Sequence, residues 1–320
     1  MSKEYNILVT GGYGFIGGNF IRFLKDNFPQ HKITNIDKNG YASNPDYIKG
    51  LCDENYEIDL ARHDNALKEL FEENKQFDYI FHFAAESHVD NSISDPTEFI
   101  QSNVVGTQNL IENFRKRGGG RFVHISTDEV YGHLDSTEPP FSELDGLQPR
   151  SPYSASKAAS DLLCLSYVNT YGTDVVVTRC CNNYGPNQHK EKFIPTIINS
   201  IIAGKKIPVY GEGMNVREWI HVYDHILGVW AVATKGRKGQ IYNIGSGNEL
   251  SNIELVDIIC KKMGKDIDKC VKFVEDRLGH DFRYSICSDK LDKELLFELN
   301  YPDFEKEIEE VIEYYETKTR

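Results

Sequence analysis

Two stretches of this chain have residue types and spacings suited to chemistry. The first is Ser126-Thr127-Asp128-Glu129-Val130-Tyr131-Gly132, which follows the apolar run Phe122-Val123-His124-Ile125 and carries two adjacent acids. Thr127 or Asp128 would serve as an ordinary cap where a strand turns into a helix. A cap does not account for the second acid. Neighbouring carboxyl groups push their pKa values apart, so that one keeps its proton and the other is a base. The second stretch is Tyr153-Ser154-Ala155-Ser156-Lys157, near the start of a helix opening at Pro152. Its spacing puts the phenol and the ammonium on one helical face. An ammonium beside a phenol lowers its pKa and fits it to take a proton from a hydroxyl.

Such groups need a scaffold, and the start of the chain supplies one. Tyr5 to Thr10 reads as a strand, and Gly11-Gly12-Tyr13-Gly14-Phe15-Ile16-Gly17 follows at once. A helix from Phe15 to Asn27 comes next, with Phe20, Ile21 and Leu24 on its inner face. Gly11, Gly14 and Gly17 allow the sharp turn and the close backbone approach that a pyrophosphate requires, and the helix N-terminus adds N–H groups. Lys32 to Asp37 reads as the second strand. Asp37 stands 20 residues after Gly17, where a carboxylate holds ribose hydroxyls and repels a 2′-phosphate, which favours NAD over NADP.

Farther along, Asn55 to Leu60 reads as a short strand, with Asp59 placed to meet an adenine edge or to cap a helix from Ala61. Phe77 to Ala85 reads as a buried strand. The small Ala84 and Ala85 leave space at its carboxyl end, where ligands of such sheets bind. Ser87 and His88 follow on a loop as polar candidates near the nicotinamide or a sugar; His88 is as readily structural. Thr97 to Arg117 reads as one helix with apolar Phe99, Val104, Val105, Leu110, Ile111 and Phe114, a core or dimer face.

Bulk properties set outer limits. The 320 residues are 40% hydrophobic and 27% charged, with a formal net charge of -13. That charge disfavours nucleic acid and anionic membrane surfaces as partners. The seven cysteines lack Cys-x-x-Cys spacing, so no metal site is expected, and buried reduced thiols in the cytoplasm are. The polar Met1 to Asn6 does not read as a signal peptide, and no apolar run reaches transmembrane length. No repeat or low-complexity segment stands out.

These motifs, together with Asn182-Asn183-Tyr184-Gly185-Pro186 and Asp276 to Asp281, resemble an extended short-chain dehydrogenase/reductase, and more closely the dTDP-glucose 4,6-dehydratase family. The likeness spans nearly the whole chain. Thr127-Asp128-Glu129 is its most specific part: related decarboxylases resemble Thr-Ser-Glu there, and 4-epimerases usually carry small residues. Asn91 stands where the family often has arginine, and Leu278 where it often has proline, which leaves thymine or uracil open as the nucleobase.

The resemblance implies an α/β fold: a Rossmann-type doubly wound parallel sheet over 1–179 with a strand returning near 240–245, and a smaller, interleaved substrate-binding domain over 180–320. It implies a catalytic set of Thr127, Asp128, Glu129, Tyr153 and Lys157. It implies an NAD site of Gly11, Gly14, Phe15, Ile16, Gly17, Asp37, Lys38, Asp59, Leu60, Ala84, Ala85, Ser87, Ser102, Ser126, Tyr153, Lys157 and Asn183. A nucleotide-sugar site would draw on Ser87, His88, Thr127, Asn182, Lys192, Phe193, Pro208, Val209, Tyr210, Arg217, Asn252, Arg277, His280 and Tyr284.

Residue chemistry bears on several of these. A diphosphate in an acidic protein needs cations, for which Lys192, Arg217 and Arg277 are the candidates, each also readable as a surface ion pair. Val209 and Tyr210 would flank a nucleobase or pack in a core, Asn182 and Asn183 would form an Asx-turn loop or bind ligand, and Asn252 would cap the helix Ile253 to Met263 or touch ligand. The expected reaction is dehydration of dTDP-glucose or UDP-glucose to the 4-keto-6-deoxy sugar in a homodimer joined through the helices starting near Thr97 and Tyr153. The alternatives are a nucleotide-sugar 4-epimerase, which would not need the paired acids, and a non-catalytic NAD-binding regulator.

Overall fold

The computed structural model describes residues 3–62, 65–73, 76–276 and 279–319. The chain opens on β1 (Asn6–Thr10), α1 (Phe15–Asn27), β2 (Lys32–Asp37), β3 (Glu54–Glu57), α2 (Ala66–Glu72) and β4 (Tyr79–His82). Two short helices, α3 (Val89–Ser94) and α4 (Thr97–Phe99), and a π-helical stretch (Ile100–Val105) lead into α5 (Gly106–Arg117). β5 (Arg121–Thr127), α6 (Pro152–Tyr171), β6 (Val175–Cys180), β7 (Asn182–Tyr184), α7 (Phe193–Ile202), β8 (Ile207–Tyr210), β9 (Val216–His221), α8 (Val222–Lys235) and β10 (Ile241–Ile244) follow. The last elements are β11 (Glu249–Ser251), α9 (Asn252–Lys262), α10 (Ile267–Cys270), β12 (Val271–Val274), α11 (Asp289–Leu295) and α12 (Phe304–Thr319).

Seven strands form one parallel sheet in the order β10-β6-β5-β4-β1-β2-β3. Strand order reverses between β1 and β4, the point beyond which ligands of doubly wound sheets bind. The strands are apolar on both sides because helices cover both faces. Ile7, Val9, Phe81, Val123 and Val176 pack with Phe20, Ile21, Leu24 and Val229 from α1 and α8. The alternate residues Leu8, Ile80, Phe122, Val175 and Val177 pack with Leu67, Leu110, Phe114 and Cys164 from α2, α5 and α6. A third cluster lies apart from both and unites Ile194, Ile198, Val209, Trp219, Leu255 and Ile308 around the small sheets β11-β9-β7 and β12-β8. Residues 241–244 return to the large sheet beside β6, as expected.

Several boundaries differ from the sequence reading. The third strand ends at Glu57, and the next helix begins at Ala66, not Ala61, because Asp59 turns the chain by accepting from the Ala61 N–H at 3.0 Å. The fourth strand spans only Tyr79–His82. The helix expected over Thr97 to Arg117 is interrupted by the π-helical stretch. The widened turn lets Asn103 face inward, where its amide bonds the backbone of Glu86 and the Ser156 hydroxyl. Asn182 and Asn183 form a strand paired with Trp219 and Ile220, not a loop. The cap of α9 is Ser251, in a reciprocal box with Glu254, and Asn252 is its first helical residue. Among the described residues no helix is long and apolar enough to cross a membrane.

Buried histidines give the fold an acid sensitivity. His225 is fully buried, bonds Asn183 through Nδ1 at 2.8 Å, and is pushed down to about 3 by desolvation. Its folded pKa lies below the unfolded value near 6.5, so the unfolded chain binds the proton first and stability falls as pH drops between the two. A His225→Gln variant keeps the donor to Asn183. Urea unfolding should show its stability falling less steeply between pH 6 and pH 4, by about 1.4 kcal/mol per pH unit.

Candidate active site

The carboxyl ends of β1, β2, β4, β5 and β6 open onto one cleft. At its centre Gly11 has φ +76°, and a Cβ there would stand 2.7 Å from the Ala84 amide nitrogen, so β1 and β4 close together only over glycine. A Cβ on Gly17 would lie 2.4 Å from the Gly11 carbonyl oxygen, so α1 also needs glycine to seat against the turn. Gly14 differs. A Cβ there would meet only the Gly11 oxygen, at 3.2 Å, and would otherwise project into open space. Gly14 caps α1 without a side chain, and no acid sits in the first turn, so the helix N–H groups face the cleft. This is the cradle a pyrophosphate fits. Gly11→Ala should lower the urea midpoint and strip bound dinucleotide from the purified protein, read from its absorbance ratio at 260 and 280 nm.

Asp37 ends β2 and is buried. It accepts from the Tyr13 and Asn39 N–H groups at 3.0 and 2.8 Å and from the Ser43 hydroxyl at 3.2 Å. Burial raises its carboxyl, and these donors pull the other way. The segment after it crosses the cleft mouth: Lys38 pairs with Glu86 at 2.5 Å, and the Asn44 amide meets Asn187 at 2.6 Å.

At the end of β5, the Thr127 hydroxyl donates to Asp128 Oδ1 at 3.1 Å and accepts from the Glu129 N–H at 3.3 Å. Asp128 Oδ2 is buried with no hydrogen-bond partner. Desolvation first, then the charges of Glu129 and Glu218, raise the Asp128 carboxyl well above the ordinary range, while Thr127 and Arg217 oppose them. That shift pushes Asp128 toward its protonated form, while Glu129 stands beside it as the second acid. Tyr153 and Lys157 reach the same cleft from the first turns of α6, which a Ser151–Ser154 capping box fixes.

The expected lowering of the phenol does not appear. Burial, then Glu129, then Cys180, raise Tyr153 well above its usual value, and the Thr127 hydroxyl bonded to it is the opposing influence. The Lys157 ammonium donates instead to the Ile125 carbonyl at 2.8 Å. Beneath it, the Asp161 carboxylate meets Arg179 at 2.9 Å and His124 at 3.3 Å, all three buried.

All residues named for the cofactor line this cleft, as do Ser87, His88, Thr127, Asn182, Lys192 and Phe193 from the substrate set. Tyr284 lines a smaller neighbouring pocket with Arg150 and Asp281. Arg217 does not line the cleft: its guanidinium donates to the Val216 and Asp281 carbonyls and lies 4.3 Å from the Tyr284 ring centre. Pro208, Tyr210, Asn252 and His280 lie outside both pockets, with Tyr210 edge-on to His280. Val209 and Tyr210 cannot flank one base together, because β8 alternates: Val209 is buried in the third apolar cluster while Pro208 and Tyr210 face outward. Arg277 lies outside the described residues.

The sequence reading missed Cys180, Cys181, Trp219, Gln188, His189 and Glu191, all on the cleft wall. For the two cysteines the signal was their place just after a buried strand, the argument already applied to Ala84 and Ala85. All seven thiols are free, with Cys52, Cys270 and Cys287 only partly buried.

Such a cleft defines a dinucleotide-using enzyme of the short-chain dehydrogenase/reductase type. Comparison with known proteins agrees. Residues 7–245 match the model of the NAD dependent epimerase/dehydratase family. A dTDP-glucose 4,6-dehydratase of Streptomyces antibioticus is 44% identical over 97% of this chain and 92% of its own. The low-salt glycan biosynthesis protein Agl12 of Haloferax volcanii is also 44% identical, over 97% of this chain and 98% of its own. The crystal structure of DesIV, a dTDP-glucose 4,6-dehydratase from Streptomyces venezuelae solved with NAD bound, superposes with a TM-score of 0.92 at 42% identity, covering 98% of this chain and 97% of that one. The chain belongs to the NAD dependent epimerase/dehydratase family and, within it, to the dTDP-glucose 4,6-dehydratases.

Proposed function

We propose that this protein converts dTDP-glucose to the 4-keto-6-deoxyglucose nucleotide and water, with NAD as a resident cofactor. Gly11, Gly14 and the N-terminus of α1 would hold the pyrophosphate, and Asp37 a ribose. When bound, NAD+ takes the C4 hydride of the sugar and later returns it to C6. Tyr153, deprotonated to the phenolate before the step, takes the 4-hydroxyl proton while Thr127 donates to the 4-oxygen. The 4-ketone acidifies C5, from which Glu129 removes the proton. Asp128 delivers its proton to the departing 6-hydroxyl, and Glu129 afterwards reprotonates C5.

The observation that carries this reading is the buried Asp128, raised toward its protonated form with one oxygen unpartnered, next to Glu129 and in the same cleft as Tyr153. Oxidation or epimerisation at C4 needs no such acid. The thymidine nucleotide is favoured over uridine by the names of the relatives. Incubation with dTDP-glucose and, separately, UDP-glucose should yield a product one water lighter from the thymidine substrate. Loss of water from neither, with NAD supplied, would remove the reading.

We further propose a cytoplasmic homodimer. The free thiols suit a reducing compartment, and exposed Ile100 and Leu162 give the π-helical stretch and α6 an apolar outer face. Light scattering should give twice the chain mass.

A further inference from the structure

Residues 38–44 leave the end of β2 and cross the mouth of the cleft, and the mechanism above does not use them. Gly40, Tyr41, Ala42 and Ser43 line the cleft. The segment is tied down at both ends. At its start Asp37 accepts from the Asn39 N–H and the Ser43 hydroxyl. At its end the Asn44 N–H donates to the Tyr13 carbonyl at 2.8 Å, and the Asn44 side chain donates to Asn187. Just beyond, the Tyr47 hydroxyl donates to Asn19 at 2.8 Å, and the Asn19 amide donates to the Pro186 carbonyl at 3.0 Å. Asn19 of α1 therefore pins the end of this segment together with the start of the facing segment, 187–192.

Between those anchors the contacts reach across the cleft. Lys38 pairs with Glu86, on the loop after β4. The Tyr41 ring stands edge-on to His189, with centres 5.7 Å apart, and its hydroxyl accepts from the Asn91 amide at 3.4 Å. One side chain thus joins segments that follow β2, β4 and β7. The ring is 57% exposed and adds little to any core, so joining these loops is its structural work. The facing segment holds the β4 loop as well: the Lys192 ammonium donates to the Ser87 carbonyl at 2.8 Å, and Glu191 lies 4.0 Å from His88 and 3.6 Å from His189. The backbone marks where each arm turns. Asn39 (φ +53°) and Asn187 (φ +68°) are two of the three non-glycine residues with positive φ among the described residues, and Gly40 follows Asn39. Asparagine and glycine adopt that conformation at little cost.

We propose that residues 38–44 are a strap that shuts the cofactor into the cleft, with Tyr41 as its clasp against His189 and Asn91. The idea rests on the reading of NAD as a resident cofactor and says which residues make it resident. Hydride taken from C4 must wait on the cofactor until C6 is ready, and a cofactor that left in between would strand the oxidised sugar. A closed strap over the mouth prevents that loss, and release requires the strap to swing away from both loops.

The test follows the cofactor and needs no sugar. Full-length holoenzyme is mixed with excess alcohol dehydrogenase and ethanol, which turn released NAD into NADH read at 340 nm. Tyr41→Ala should release NAD about tenfold faster than wild type, the size of one ring pair and one hydrogen bond lost in partly exposed positions. Release at the wild-type rate would overturn the proposal. A second variant separates a gate from a simple contact. Tyr41→Cys with His189→Cys, its thiols bridged by dibromobimane after loading, should hold NAD at least about tenfold longer than the same variant unbridged. Bridged before loading, it should take up no NAD. Equal exchange with and without the bridge would refute the gate. A wild type that binds no NAD at all would be a different failure, and would sink the resident-cofactor reading itself.

Discussion

Asp128→Asn should stop the reaction at the ketone. The amide keeps the size of the side chain and can still accept from Thr127, but it has no proton to give to a departing hydroxide. A positioned general acid contributes about 10²–10⁴-fold to such a step. C4 oxidation should survive, because Tyr153 and Thr127 are untouched. The signature is reduced cofactor that forms at close to the wild-type rate and then accumulates, with dehydrated product appearing about 10²–10⁴-fold more slowly. Stopped-flow absorbance at 340 nm with quenched mass analysis separates the two. An Asp128→Asn enzyme that turns over normally would mean that another group protonates the leaving oxygen.

The second large effect is on stability. Asp161 stands one helical turn after Lys157 and is fully buried between Arg179 and His124. The guanidinium also lies 4.6 Å from the Tyr131 ring centre, and the Tyr131 hydroxyl donates to Asn243 at 2.8 Å. One network thus ties α6 to β5, β6 and β10. Asp161→Asn leaves a buried guanidinium without its counter-charge, a change that costs about 3–5 kcal/mol. Chemical denaturation should show the loss, and the double variant Asp161→Leu with Arg179→Met should recover most of it, since a buried pair is costly mainly when half of it remains. A single variant of wild-type stability would show that water or His124 already compensates the guanidinium.

Legibility followed the range of the interaction that fixes each feature. The glycine turn, Asp37 and the Tyr153–Lys157 helix depend on near neighbours in sequence, and every residue expected at the cofactor lines the cleft. The strand at 241–244 was readable because its apolar pattern demands burial on two faces. The π-helical break was not, since nothing local marks it: Asn103 is drawn inward by Glu86 and Ser156, which lie 17 and 53 positions away. The strand at 182–184 was hidden for the same reason, its partner being β9. On the substrate side, Val209 takes the core-packing reading, because a β-strand offers its two faces alternately and the sequence does not say which is turned to the ligand. The relation of Tyr153 to Lys157 was read too simply. Their spacing is right, yet the phenol answers first to burial and to Glu129, which come from its surroundings in the fold.

The central claim is that hydride leaves C4 and returns to C6 of the same sugar. dTDP-glucose carrying deuterium at C4 tests it directly. The product should be one water lighter and carry the deuterium on its C6 methyl group, with no label released to the medium. Label recovered at C4 of a galactose-configured nucleotide sugar would contradict the account and make the protein an epimerase, with Asp128 and Glu129 left without a chemical role.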